Sequence, residues 1–322
     1  MTLPSSTVSA VGIGLGYLAD ALLGDPPRWH PVAGFGRLAA ALEKHSYADR
    51  RSAGLLYVAV LTGLTAGIGL LLERAARRHP AGVPLAAAVT WAVLGGRSLR
   101  KEAASVQAML AAGNLPAARV AVRKLVGRDT DDATQQDVAR ATVESVAENT
   151  SDAVVAPLFW GALAGLPGLL GYRAVNTLDA MIGHRSSRYL RFGWAAARLD
   201  DAVNWLPARL SALLTAAIAP SVTGSPAAAW RAWRRDARQH PSPNAGVVEA
   251  AFAGSLGVRL GGTNIYQGRA EERGVLGDGR PVAVADIARA VRLSQRVSAA
   301  ALALVISFRL VRGSGWRSQS PS

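Results

Sequence analysis

Apolar residues arrive in blocks along this chain of 322 residues. The longest block, AGLLYVAVLTGLTAGIGLLL at 53–72, carries no charged side chain over twenty positions. At 1.5 Å per residue a helix of that length covers about 30 Å, the thickness of bilayer hydrocarbon. Further blocks at 7–24, 81–96, 153–172, 205–224 and 297–312 are shorter, or broken by Gly, Pro or a single charge. Any one of them alone reads as a buried core helix. Six in one chain predict an all-α, polytopic membrane protein with about four to six membrane helices and helical cytoplasmic loops.

Four polar stretches alternate with these blocks, at 25–52, 97–152, 173–204 and 225–296. Two candidate spans separate the first stretch from the second, and two separate the second from the fourth, which predicts one shared side for those three. The third stretch carries Arg173, Arg185, Arg188, Arg191 and Arg198, and that argues for the cytoplasmic side. Pro157, Pro167 and Pro207 let their segments dip or break where protein covers the freed backbone. Arg74, Arg77 and Arg78 fit this layout poorly, because it leaves them in an outside loop. No repeat or soluble domain boundary stands out. Residues 1–312 read as one integral-membrane catalytic domain, and 313–322 as a disordered polar tail.

Composition narrows the chemistry. There is no cysteine, hence no disulfide framework and no thiolate nucleophile or ligand. The first apolar block lacks a preceding basic cluster and a cleavage site, so it reads as a retained helix. The formal charge of +14 comes from Arg in the loops, without a basic helix interleaved with aromatics. Anionic lipid, phosphorylated substrates and the positive-inside rule account for it, and nucleic acid does not.

No phosphate-binding loop, H-E-x-x-H, G-x-S-x-G or dinucleotide fingerprint occurs. What remains is acidic and amide-rich. In ATVESVAENTSDAVVAP (141–157), Glu144, Glu148 and Asp152 stand at steps of four, one stripe on a helix that Arg140 continues backwards. Such like-charge neighbours cost about 0.2–0.5 kcal/mol each on a wet surface and far more in a buried cleft. Asn176 and Asp179 share a face, as do Asp200 and Asn204 in ARLDDAVNW, and Asp201 and Asn204 nearly do. Paired acids beside Arg residues suit a hard cation such as Mg²⁺ carrying phosphate oxygens and water. Arg185, Arg188 and Arg191 are anion-binding candidates or interfacial snorkellers. GSLGVRLGGTNIYQG surrounds Arg259, Asn264 and Tyr266 with glycine, as backbone nests for phosphate require. Asn244 in SPN reads as a helix cap, and a stiff Asp25-Pro26-Pro27 loop holds His30.

The segments GDPPRWHPV (24–32), ATVESVAENTSDAVVAPLFW (141–160), NTLDAMIGHRSSRYLRFGWAAARLDDAVNWLPARL (176–210) and SPNAGVVEAAFAGSLGVRLGG (242–262) resemble, in order, the CobD/CbiB family of adenosylcobinamide-phosphate synthases. One departure is Val247-Val248, where that family usually has an aromatic-Pro pair before the Glu that is Glu249 here. The resemblance implies an inner-membrane enzyme with its site facing the cytoplasm. It implies an amide bond between adenosylcobyric acid and an aminoalcohol phosphate, typically 1-amino-2-propanol O-phosphate, driven by ATP with Mg²⁺. Glu144, Glu148 and Asp152, with Asp200 and Asp201, are then expected at Mg²⁺ or as the base, and His30 as a weaker acid–base candidate. Arg185, Arg188 and Arg259 would clamp phosphates, while Asn149, Asn176, Asp179, Asn204 and Asn244 would orient ligands. A homo-oligomer or contact with other late corrin-pathway enzymes is also expected. A Mg²⁺-dependent membrane prenyl or phosphoalcohol transferase would need a fuller Asp-rich signature. A corrinoid transport subunit would need acids along a path through the spans.

Overall fold

The computed structural model describes residues 5–26, 30–266 and 269–315. In chain order the first helices are α1 (Ser5–Leu23), α2 (Pro31–Ser46), α3 (Arg51–Arg78) and α4 (Gly82–Val93). Next come α5 (Gly96–Ala111), α6 (Leu115–Val122) and α7 (Gln135–Thr150), then a π-helical turn at Ser151–Val155 and α8 (Ala156–Ile182). The short α9 (Tyr189–Phe192) leads into α10 (Trp194–Ile218), α11 (Pro226–Asp236) and α12 (Ala245–Leu256). Strands β1 (Val258–Tyr266), β2 (Arg269–Leu276) and β3 (Arg280–Pro281) precede α13 (Val284–Gly315). The chain is an all-α membrane protein apart from that one small sheet. All six apolar blocks are helical. Of the expected polar tail, residues 313–315 still belong to α13, and 316–322 lie outside the described residues.

Four helical stretches are long and apolar enough to cross a membrane: 51–78, 135–182, 194–222 and 284–312. On α3, the side chains of Leu55, Leu56, Val60, Leu64, Ile68 and Leu71 are exposed. In water that face would be a liability, and in lipid it is the expected surface. Helix α4, with twelve residues, is about 18 Å long and short for a span.

Two compact units interleave along the chain. The first comprises residues 1–95, 156–204 and 301–322. Tyr57, Val58 and Leu61 of α3 pack there with Leu178 and Ile182 of α8 and Phe192 of α9. Helix α8 breaks inside this unit. Gly165 has φ +69°, a left-handed conformation that L side chains avoid, and Pro167 follows. Glu73 of α3 fills the break, accepting the Leu166 amide at 3.0 Å and pairing with Arg77 at 3.1 Å. Arg309 donates to the Gly161 carbonyl at 2.7 Å and Arg312 to that of Leu163 at 3.3 Å. A carboxylate therefore sits at the amide end of the second half-helix and guanidinium groups at the carbonyl end of the first, as the helix dipoles favour. Arg77, which the sequence left as an awkward outside charge, has its partner here.

The second unit comprises residues 96–155 and 205–300. Thr134 and Asp137 cap α7 reciprocally, with side chain bonded to backbone in both directions. Helix α12 is buried along its whole length. Its end feeds β1, which pairs antiparallel with β2 and parallel with β3. From the sequence, this glycine-rich stretch is expected only to form backbone nests for phosphate. It forms a hairpin instead, because Val258 and Leu260 point inward while Arg259 points out, the period-two alternation of a half-buried strand.

Candidate functional site

Within the second unit, charged side chains from α7, the loop before it, α12 and the hairpin gather around Glu144. Arg128 pairs with Glu144 at 2.8 Å, both side chains being almost fully buried. Arg140 adds a second ion pair at 3.3 Å and also donates to the Gly261 carbonyl. The Gly261 amide donates to Glu144 at 2.8 Å. Gly261 has φ +77°, and a Cβ there would meet the Gly274 carbonyl at 2.1 Å, so only glycine fits. Its amide is thus held by a carboxylate rather than offered to a phosphate, which revises the expected nest. The side chains of Asn264 and Tyr266, and all of Gly268, lie outside the described residues.

Two more carboxyls belong to this group. Glu148 is half-buried one turn beyond Glu144. Glu249, on α12, is 3 % exposed and has His240 Nε2 at 3.7 Å from its Oε1. Burial first, then the neighbouring Glu144 and Glu148, push the Glu249 carboxyl well above the usual range, against Arg273 and Arg128. His240 is 6 % exposed; burial first, and Arg273 after it, lower it to about 4. His240 Nδ1 is engaged by Ser242, whose amide lies at 3.1 Å and whose carbonyl lies at 3.4 Å, and this leaves Nε2 on the side of Glu249. That Nε2 is buried without a hydrogen-bond partner among the described residues.

Sequence reasoning passed over Arg128, His240, Glu249 and Arg273 as site residues. For Glu249 a signal existed: it is the one charge in the apolar run AGVVEAAFAGSL, and a lone acid in a buried helix needs a reason. Arg128, His240 and Arg273 come from loop or strand positions that no local spacing connects to α7.

The remaining expected site residues divide between the two units. In the second, Asp152 opens the π-helical turn, so the regular four-residue stripe holds from Glu144 to Glu148 and changes pitch before Asp152. Asn149 donates back to the Ser145 carbonyl at 3.0 Å. Arg259 is exposed on β1. Asn244 stands at the cap position of α12 without capping it. Ser242 Oγ takes the amides of Asn244 and Ala245 at 3.3 and 3.2 Å, leaving Asn244 Oδ1 to accept from Arg209 at 2.8 Å. The cap expectation is corrected accordingly.

In the first unit, buried Asn204 accepts from Tyr172 at 2.9 Å and donates to Asp200 at 3.0 Å, which fixes the Asp200 carboxylate. Asp201 faces Arg198 at 3.8 Å and feels Arg185. Asn176 and Asp179 are half-buried on α8. Arg188, expected as a phosphate clamp, instead pairs with Glu43 at 2.9 Å and lies over the Tyr47 ring at 4.2 Å. Those bonds to Glu43 and Tyr189 hold its guanidinium pKa above the ordinary value. His30 Nδ1 accepts the Val32 amide at 3.2 Å, capping α2, with Nε2 3.8 Å from Asp25. Among the described residues no group of three or more His, Asp and Glu side chains is gathered closely enough to hold a metal ion.

Comparison with known proteins follows this geometry. The family model described as CobD/Cbib protein matches residues 13–294. A cobalamin biosynthesis protein CobD of Mycobacterium tuberculosis is 53% identical over 298 residues, 92% of this chain and 95% of that protein. The like-named protein of Chromobacterium violaceum is 46% identical over 295 residues, covering 89% and 93%. That of Geobacter metallireducens is 47% identical over 268 residues, covering 81% and 84%. No solved structure matches. With a family model spanning most of its length and relatives near half identity, the chain belongs to the CobD/Cbib family.

Proposed function

We propose that this protein acts in cobalamin biosynthesis as an adenosylcobinamide-phosphate synthase in the cytoplasmic membrane, with its site facing the cytoplasm. Family membership supports the pathway. The observation that carries the chemistry is the group formed by buried Glu144 and Glu249 and half-buried Glu148 among Arg128, Arg140 and Arg273. Amide formation at neutral pH needs an activated carboxyl and a deprotonated amine. Transfer of the γ-phosphoryl group of ATP to the adenosylcobyric acid carboxylate gives an acyl phosphate and ADP. Attack by the amine forms the C–N bond, breaks the acyl C–O bond and releases phosphate, which carries away one N–H proton. A preceding proton leaves the ammonium for a carboxylate base. All partners except the ammonium are anionic, so guanidinium groups offset charge at the reacting centre.

The donor set suits Mg²⁺ of the kind that keeps waters and phosphate oxygens and uses one or two carboxylates. Within the first unit Asp200, held by Asn204, and the adjacent Asp201 would be the carboxylates to hold such an ion, which would supply charge neutralisation on phosphates bound there. Purified protein in detergent, given cobyric acid, aminopropanol phosphate, Mg²⁺ and labelled ATP, should yield cobinamide phosphate, ADP and phosphate. No amine-dependent corrinoid product would rule the reading out.

A further inference from the structure

We propose that Glu249 and Glu148, with His240 set behind Glu249, receive the ammonium end of the aminoalcohol phosphate, and that Glu249 takes its proton before the nitrogen attacks. This rests on the amide-forming reading. Glu144 is spoken for by two guanidinium groups and a backbone amide, whereas Glu148 and Glu249 have no hydrogen-bond partner among the described residues. The second, independent observation is His240. Its Nε2 is buried, unpartnered and 3.7 Å from Glu249 Oε1, too long for a hydrogen bond but aimed at the carboxyl. Nδ1 is taken up by the Ser242 backbone, so Nε2 is the ring atom left to the carboxyl. It stands as a positioning residue for Glu249.

Every charge facing Glu249 bears on its proton: Glu144 and Glu148 on α7, Arg128 before it, Arg273 on β2 and His240 itself. Burial and the two glutamates hold the Glu249 proton to higher pH than on an ordinary glutamate. An incoming R–NH₃⁺ replaces that proton, which goes to solvent, leaving an ammonium–carboxylate pair. When the acyl phosphate is in place, the ammonium returns one proton to Glu249 and attacks as R–NH₂.

Binding reads this without turnover. The full-length protein in detergent is titrated near pH 7 with 1-amino-2-propanol O-phosphate, by calorimetry in buffers of different ionisation heat, so that protons released are counted. Wild type should release protons on binding the amine, and more than on binding the deaminated analogue isopropyl phosphate. Glu249→Gln should bind the amine about tenfold more weakly or worse, with no proton release, while binding the analogue as wild type does. His240→Gln should weaken amine binding and shift the pH at which release is half complete. Equal binding of amine and analogue by wild type without a proton difference would overturn the proposal, even if the variants failed to fold. So would proton release by Mg²⁺ alone that the amine does not compete with. Intact proton-linked binding without amide product would instead overturn the ligase reading and leave this site standing.

Discussion

Glu144 ties the second unit together through a single carboxylate: two arginines, one backbone amide and, through Gly261, the hairpin. Removing one partner of such a buried set strands the others. Glu144→Ala should therefore cost about 3–5 kcal/mol, seen as a large drop in melting temperature in detergent. Glu148→Gln removes a carboxylate with no ion pair, so it should leave the fold near wild type and abolish cobinamide phosphate formation. Near-normal turnover would take Glu148 out of the site. The His240–Glu249 pair makes a prediction about pH with two opposing slopes. Unfolded histidine takes up its proton near 6.5 and folded His240 only near 4, so its contribution to stability is full above 6.5 and falls as the pH drops to 4. That difference is worth about 3 kcal/mol. Glu249 is raised above 4.5 in the fold, so its contribution is full below 4.5 and is lost as pH rises through the folded value. Between pH 4.5 and 6.5 the two oppose each other. Relative to wild type, His240→Asn should gain stability as the pH falls across that window, and parallel pH profiles of the two proteins would contradict the pairing.

Helices were legible in the sequence where one rule governed them, and their interruptions were not. The uncharged run at 53–72 announces α3 directly, and the four-residue spacing of Glu144 and Glu148 announces a helix at α7. The hairpin was obscured because Gly261 and Gly262 mimic a loop while Val258 and Leu260 carry the strand pattern. Nothing in NTSDAVV marks a π-helical turn, since widening the ring changes no propensity. The break in α8 is half-legible: Gly165 and Pro167 stand in the sequence, but the carboxylate that fills the gap comes from Glu73, 93 residues away. For the same reason the α7 stripe could be read from spacing, while its partners Arg128, His240, Glu249 and Arg273 required the fold. The break itself is testable. A Cβ on Gly165 would lie 2.7 Å from Glu73 Oε2 on a backbone with positive φ, so Gly165→Ala should cost about 1–3 kcal/mol. Gly67→Ala, with nothing within 4 Å, should melt like wild type. Equal melting temperatures for the two variants would mean that Glu73 does not close the gap.

At the scale of the whole molecule, length and exposure decide what meets lipid, and arginine decides which side faces in. Helix α3 presents leucine and isoleucine outward over most of its length, and four helical stretches are long enough to cross. The second unit carries Arg97, Arg100, Lys101, Arg119, Arg123, Lys124 and Arg128 between 96 and 134. It adds Arg231, Arg234, Arg235 and Arg238 on and just after α11. Basic residues close to membrane segments are retained on the cytoplasmic side, largely irrespective of nearby acids. Both groups should therefore face the cytoplasm, where ATP is available. The chain has no cysteine, so each one introduced is a unique reporter. Ala112→Cys, just beyond α5, and Arg238→Cys, just beyond α11, are both at exposed positions without a recorded side-chain bond. In intact cells a membrane-impermeant maleimide should leave both unlabelled, and after lysis it should label both. Labelling of either in intact cells would put the second unit outside and remove its glutamate cluster from contact with cytoplasmic ATP, and the proposed reaction could not run there.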